Sequence, residues 1–472
     1  MGTTRMEHDL LGERTVPAER YFGIQTVRAM ENFRISGIPI AQYPRLIHSL
    51  AYIKQAAALT NRDLGLLDAS IADAISKACE RILANQFLGE FVVDVIQGGA
   101  GTSTNMNANE VIANIALEIT GHAKGQYDVI HPLNHVNLSQ STNDVYPTAL
   151  RLTLSLMLDE LMAQMRSLQE TLAAKGAEFA DVIKMGRTQL QDAVPMTLGQ
   201  EFDAYAVMVG EDILRVREAQ SLIREINMGG TAIGTGLNAH PDYARQVTAK
   251  LGELSGVALV RSPNLVEATQ DAGVYVQLSG VLKRVAVKLS KICNDLRLLS
   301  SGPRAGLYEI NLPPMAPGST IMPGKVNPII PEVVNQVAFY VIGNDVTVTL
   351  AAEAGQLELN VMEPVIAYSL FTSIELLGRA CHTLAERCIR GITANRERTR
   401  KMVENSIGLV TALNPHIGYD KSTQIADEAL ASGRSVYEIV LEKGFLTKKE
   451  LDDILAPENM LRPRYISKSE RG

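Results

Sequence analysis

Residues 148–175 read TALRLTLSLMLDELMAQMRSLQETLAAK, with no proline or glycine to interrupt them. Within them Leu154, Leu158, Leu161, Met165, Leu168 and Leu172 fall at spacings of four, three, four, three and four. That rhythm places the six side chains on one seam of a helix, as in a coiled coil, and at 1.5 Å per residue the helix is roughly 40 Å long. A second seam, Phe202, Tyr205, Val209, Ile213 and Val216, belongs to a segment that runs on to Ile226. A third carries Val274, Leu278, Val281, Val285, Leu289, Ile292, Leu296 and Leu299. Residues 331–355 and 364–392 also read as helices, with less regular seams.

Five long helices predict a mainly α fold built on a long-helix bundle, because each apolar stripe needs another helix against it. Turn-rich residues 228–238, 302–331 and 355–364 punctuate the five. The seams are long for one isolated bundle, so several chains are expected to pack their bundles together. A monomer whose end lobes cover the stripes is the alternative. The chain divides into a mixed, mostly helical N-terminal domain (1–141), a central five-helix domain (142–397) and a small, polar C-terminal helical domain (398–472). The last ends in a basic tail from Arg462 that is expected to fray.

Composition agrees with a large helical core. Of 472 residues 46% are hydrophobic and 21% charged, while aromatics are 5% and tryptophan is absent. A core of Leu, Val, Ile, Ala and Met suits helix packing better than a β-sandwich. A net charge of −7 argues against a nucleic-acid partner. The charged N-terminus has no apolar leader and no run of eighteen apolar residues occurs, so neither secretion nor a membrane span is expected. Cys79, Cys293, Cys381 and Cys388 are scattered, without metal-ligand spacing, and read as buried reduced thiols in a cytoplasmic protein.

Four segments concentrate hydroxyl, amide and glycine residues where a structural element would carry apolar spacing. Residues 98–105 read GGAGTSTN and lead into a helical pattern, so their amides and hydroxyls suit an anion, although a helix-capping turn looks the same. Residues 139–144 read SQSTND, equally good as N-caps or as polar ligands. Residues 186–192, GRTQLQD, lie between two helices, where a solvated loop would look similar. Residues 317–328, PGSTIMPGKVNP, hold three prolines and two glycines that exclude regular structure, in a loop too long to be idle. It is not a phosphate loop, because Val326 stands where Ser or Thr is required and the glycines are too far apart. His131 and His135 lack a third metal ligand and read as packing residues, and residues 230–236 lack dinucleotide-fingerprint spacing.

Residues 318–328 resemble the signature of the aspartase/fumarase superfamily. So do Tyr21-Phe22-Gly23 with Gln25-Thr26, and residues 98–109, 139–144, 184–195 and 360–364, which together span nearly the whole chain. Gln189, where fumarases have histidine, and Glu363, where they typically have lysine, make the chain similar to the aspartases in particular. Thr320 departs from the family's usual serine but keeps a hydroxyl.

The resemblance implies a homotetramer with a twenty-helix core and composite active sites from three subunits. It implies elimination of ammonia from L-aspartate to give fumarate, with hydration of fumarate as the alternative. Ser319 is the implied base. Thr102, Ser141, Thr142 and Thr320 match positions around the β-carboxylate. Thr188, Lys325 and Asn327 match those that hold the α-carboxylate, and Asn143 and Gln189 those near the amino group. Gln189 also speaks for ammonia as leaving group, since an ammonium needs no acid to depart. No cofactor or structural metal is expected; activation by a divalent cation is not legible. A non-catalytic scaffold is disfavoured because Ser319 and Lys325 are both present, and an aspartate sensor without turnover is the remaining alternative.

Overall fold

The computed structural model describes residues 3–461, so the basic tail from Arg462 lies outside the described residues. The chain is mainly helical, and five long helices dominate it: α1 (Thr142–Glu178), α2 (Leu198–Ile223), α3 (Gly273–Leu299), α4 (Ile329–Glu353) and α5 (Glu363–Arg387). With 37 residues α1 is about 55 Å long. The seam residues of α1 and α2 are all buried, as are Leu278, Val285, Leu289, Ile292, Leu296 and Leu299 of α3.

α1 begins ahead of its apolar rhythm, at Thr142, and carries Pro147 inside it. Proline has no N–H for the carbonyl four residues back, here that of Asn143. Asn227 supplies the missing bond, its Nδ2 donating to Asn143 O at 2.9 Å and to Thr269 Oγ1 at 3.1 Å. The helix passes through the proline with the orphaned carbonyl satisfied.

α4 differs from the other long helices. Val334, Ala338, Val341, Val348 and Ala351 form a buried stripe, whereas Val333, Phe339, Tyr340, Val346 and Leu350 form an exposed apolar one. Two apolar faces explain its irregular rhythm. The seam residues of α1 and α2 are covered within one chain, whereas this second face of α4 is left to solvent, as are single residues such as Val207 and Leu214 of α2 and Val287 of α3. Asn360 ties the end of α4 to the start of α5, donating to Ala351 O and Ala352 O and accepting from Met362 N.

By contacts the chain forms two compact units. The first comprises Met1–Ala163, Asp212–Val287 and Val337–Gly378. Its N-terminal part was expected to be short helices, and these occur as Pro44–Asp63, Ala69–Leu83 and Thr102–Ile119, packed on one another. A β-hairpin, β1 (Thr4–Asp9) and β2 (Gly12–Pro17), precedes them. The second unit comprises Gln164–Glu211, Lys288–Gln336 and Arg379–Gly472. There residues 183–197 form a second hairpin, β3 (Ile183–Thr188) and β4 (Gln191–Thr197), where the sequence suggested a plain loop. The C-terminal helices enclose an apolar core of their own that includes Val403, Leu413, Ile425, Ile439 and Leu451. Capping boxes Ser435/Glu438 and Thr447/Glu450 start two of them. Among the described residues no helix is long and apolar enough to cross a membrane.

Asn227→Ala should destabilise the protein by about 1–3 kcal/mol, the cost of a buried carbonyl left unpaired. Pro147→Ala returns an N–H to that carbonyl, so the same change in the Pro147→Ala background should cost clearly less. Equal costs in both backgrounds, measured by urea unfolding, would refute this account of how α1 tolerates its proline.

Candidate active site

In the first unit the glycine segment turns sharply before its helix. Gly99, Ala100 and Gly101 all have positive φ (86°, 55° and 88°), and the helix starts at Thr102 itself. A Cβ on Gly101 would lie 2.2 Å from the Tyr146 ring of α1, so only glycine fits there. Gln97 Oε1 takes the backbone N–H and the hydroxyl of Thr104, both at 3.1 Å. Thr102 is left exposed at the first turn.

Residues 139–144 act as both cap and polar cluster. Ser141 caps α1: its Oγ accepts from Asn143 N, while Asp144 Oδ1 accepts from Ser141 N. Asp144 is fully buried, and its Oδ2 accepts from Gly229 N and Thr231 N at 3.1 and 2.9 Å. Burial pushes its carboxyl up to about 6, against the pull of those amides. Residues 230–236 are thus a tight turn fastened to α1. Thr142 Oγ1 accepts from Asn105 Nδ2 at 3.0 Å, which joins the two polar segments and leaves the Thr142 O–H free to donate. Asn143 Nδ2 donates to Ala232 O at 2.7 Å, which leaves its Oδ1 as an acceptor. Thr102, Ser141, Thr142 and Asn143 therefore sit on linked elements.

In the second unit Thr188 ends β3, and Gln189 and Leu190 form the hairpin tip with φ of 53° and 63°. Positive φ at both turn positions is the geometry that matches strand twist, here without the usual Asn-Gly. The hairpin is held by a buried ionic group: Glu309, wholly buried, reaches Arg187 and Lys184, and Lys184 also meets Glu201. Thr188 and Gln189 are exposed.

The loop after Pro317 is irregular, as its prolines and glycines predicted. Its base is closed by Gly318 N to Lys325 O at 2.8 Å and Asn327 Nδ2 to Gly318 O at 2.7 Å. A Cβ on Gly318 would lie 2.5 Å from Lys325 O. Ser319 Oγ accepts two backbone N–H groups, from Ile321 at 3.2 Å and Met322 at 2.9 Å. Thr320 and Lys325 are exposed. Among the described residues no hydrogen bond joins this loop to the hairpin tip.

Other features are structural. His131 Nδ1 accepts from Leu133 N and Asn134 N, and His135 Nδ1 from His131 N. Among the described residues no group of three or more potential ligands is placed to hold a metal ion. The four cysteines are buried and unpaired. Residues 21–26 are fastened by Glu110, which accepts from Gly23 N, Gln25 N and Thr26 N and Oγ1. Burial raises the Glu110 carboxyl to about 7. A cavity of about 670 Å³ in the C-terminal lobe, lined by Ile183, Val403, Leu409, Tyr437 and Leu455 among others, contains none of the chemistry-bearing residues. Sequence reasoning missed three groups that hold these segments: Glu309, Asp144 as an anchor, and Lys54. Lys54 had a signal, since a lysine at that position interrupts the apolar stripe Ile47, Leu50, Ala57, Ala58.

Comparison with known proteins gives the family. Residues 12–343 match the family described as "Lyase", and residues 409–462 that described as "Fumarase C C-terminus". The aspartate ammonia-lyase of Helicobacter pylori strain J99 is 61% identical over 464 residues, covering 98% of this chain and 99% of that one. The crystal structure of "fumarate lyase:delta crystallin" from Brucella melitensis bound to cobalt superposes with a TM-score of 0.96 at 56% identity, covering 98% of this chain and all of that one. The recombinant class II fumarase of Schistosoma mansoni gives 0.92 at 37% identity, over 97% of this chain and 99% of that one. The chain is nearer to the ammonia-lyase than to the fumarase over the same full length, and it belongs to the aspartase/fumarase superfamily, in its aspartate ammonia-lyase branch.

Proposed function

We propose that the protein deaminates L-aspartate to fumarate and ammonia, with Ser319 as the base. The observation that carries the mechanism is the pair of N–H donors on Ser319 Oγ, from Ile321 and Met322. A serine hydroxyl is a poor base, and donors aimed at its oxygen favour the charged form that can accept a proton. The Ser319 oxyanion takes a proton from the carbon beside the β-carboxylate. The C–H pair moves into that carboxylate, giving an enediolate with one extra negative charge. When the pair returns to form the double bond, the C–N bond breaks and ammonia leaves with its electrons. Ser319 then gives up the proton it took, so that ammonium is the final product.

The difficulty is the extra charge, and short hydroxyl donors meet it. Each aligned donor contributes about 3–4 kcal/mol in such a transition state. Thr102, Ser141, Thr142 and Thr320 are assigned to the β-carboxylate; the free O–H of Thr142 supports this. Thr188, Lys325 and Asn327 are assigned to the α-carboxylate, where Asn327 has a second N–H beyond the one on Gly318. Asn143 and Gln189 are assigned to the amino group, and the remaining acceptor oxygen of Asn143 suits an ammonium. Every role falls to a side chain, so no organic cofactor enters; a divalent cation is not assigned a place.

The sites are read as composite, drawn from three subunits of a homotetramer. The exposed face of α4, Val333, Phe339, Tyr340, Val346 and Leu350, supports the assembly, since a monomer rarely leaves such a stripe in water. The division into 1–141, 142–397 and 398–472 and a cytoplasmic location belong to the same reading.

Purified protein should form fumarate from L-aspartate, followed by its absorbance, and not from L-malate; fumarate from malate alone would make it a fumarase. Ser319→Ala should lower kcat by at least about a thousandfold with the fold and assembly intact. Near-normal turnover would place the base elsewhere. Lys325→Ala should raise KM for L-aspartate and lower kcat together. Leu350→Glu should yield smaller species in light scattering that are inactive, whereas an active monomer would overturn the composite site.

A further inference from the structure

Lys54, on the helix Pro44–Asp63, is wholly buried, and the mechanism above gives it no part. Buried lysines are normally paired with a carboxylate. Lys54 instead donates to two neutral amide oxygens, Asn137 Oδ1 and Gln140 Oε1, both at 2.9 Å, and makes no ion pair among the described residues. Asn137 Oδ1 also accepts from Asn105 Nδ2 at 3.2 Å and Asn109 Nδ2 at 3.1 Å. Asn105 passes the chain on to Thr142 Oγ1 at 3.0 Å. The ammonium is therefore two amide side chains away from a hydroxyl assigned to the β-carboxylate. With one lone pair of Oγ1 taken by the Asn105 donor, the Thr142 O–H remains available to donate.

We propose that Lys54 is a positioning residue of the β-carboxylate cradle: a buried cation, held by amide oxygens and linked through Asn137 and Asn105 to Thr142, whose charge attracts the substrate's carboxylate. The inference rests on the assignment of Ser141 and Thr142 to that carboxylate. It goes beyond that assignment in making the cradle's charge come from a residue that never touches substrate. The charged and titratable groups facing Lys54 are Asp144, at the start of α1, and the Cys79 thiol, on the helix Ala69–Leu83. Burial pushes the Lys54 ammonium down to about 7, against the pull of Asp144. Charged Lys54 prevails below that pH and binds a dianion better, so affinity falls as pH rises through about 7, and a bound carboxylate holds the proton on.

The test compares Lys54→Met and Lys54→Gln with the unaltered protein, using KM for L-aspartate and inhibition by succinate, a dicarboxylate that cannot eliminate. At an effective dielectric of about 20, a unit charge roughly 10 Å from a carboxylate changes its binding about tenfold. Both variants should weaken aspartate and succinate about tenfold below pH 7, and the rise of KM through that pH should disappear. A purely structural role would not remove the pH dependence. Lys54→Gln keeps an N–H donor without the charge, so unaltered binding in it would overturn the proposal, as would an unaltered pH profile in both. Should Lys54→Met fail to fold, Lys54→Gln carries the test alone. Thr142→Val separates the two readings: if it raises KM while the Lys54 variants do not, only the role of Lys54 falls. If Thr142→Val leaves KM unchanged, the carboxylate assignment fails and the proposal goes with it.

Discussion

A helix of 37 residues cannot stand by itself in water; it persists only where its apolar seam is covered along its length. In this chain the requirement is met for α1 and α2, whose seam residues are buried, and for most of the α3 seam, and it is left open for one face of α4. The rigid rods that result have their ends fixed, and the ends are where the polar segments lie. Ser141 caps the start of α1, the helix Thr102–Ile119 starts at its own candidate ligand, and the loop 317–328 runs straight into α4. Covering the seams therefore also sets where hydroxyls and amides are held.

The polar segments serve the fold and the proposed chemistry with different atoms of the same side chains. The Ser141 oxygen caps a helix while its O–H remains to donate. Asn143 fastens its nitrogen to Ala232 and keeps its oxygen as an acceptor. Asn327 closes the base of its loop with one of two N–H groups. Buried carboxylates do the fastening: Asp144 holds α1 to the turn at Gly229, Glu110 holds residues 21–26, and Glu309 holds β3 through Lys184 and Arg187. Side chains locked in this way lose little entropy when a ligand arrives, which is what preorganised donors require.

Periodicity made the long helices legible, because the seams of α1, α2 and α3 face one way each. α4 was harder to read since it is apolar on two sides. The hairpin β3–β4 was hidden because Gln189-Leu190 occupies a turn that sequence usually announces with Asn-Gly. Pro147 gave no hint of Asn227, eighty residues away, because that rescue is a contact between distant parts of the chain. The candidate site was visible as motifs, but composition could not separate caps from ligands, and Ser141 is fitted to be both. Lys54 is hard to single out from sequence because its neighbours Ile53, Ala56, Ala57 and Ala58 are core residues.

The donors on Ser319 come from the second and third residues after it, within the same loop. A base whose activating groups are its immediate chain neighbours keeps them whatever the loop does as a body. Opening, closing or tilting changes where the oxygen is delivered without changing what surrounds it. In evolutionary terms the loop is a portable part. On the proposed role of Ser319, substrate preference could drift through the residues assigned to the substrate, such as Gln189, Thr188 and Thr142, while the proton-abstracting loop stays the same.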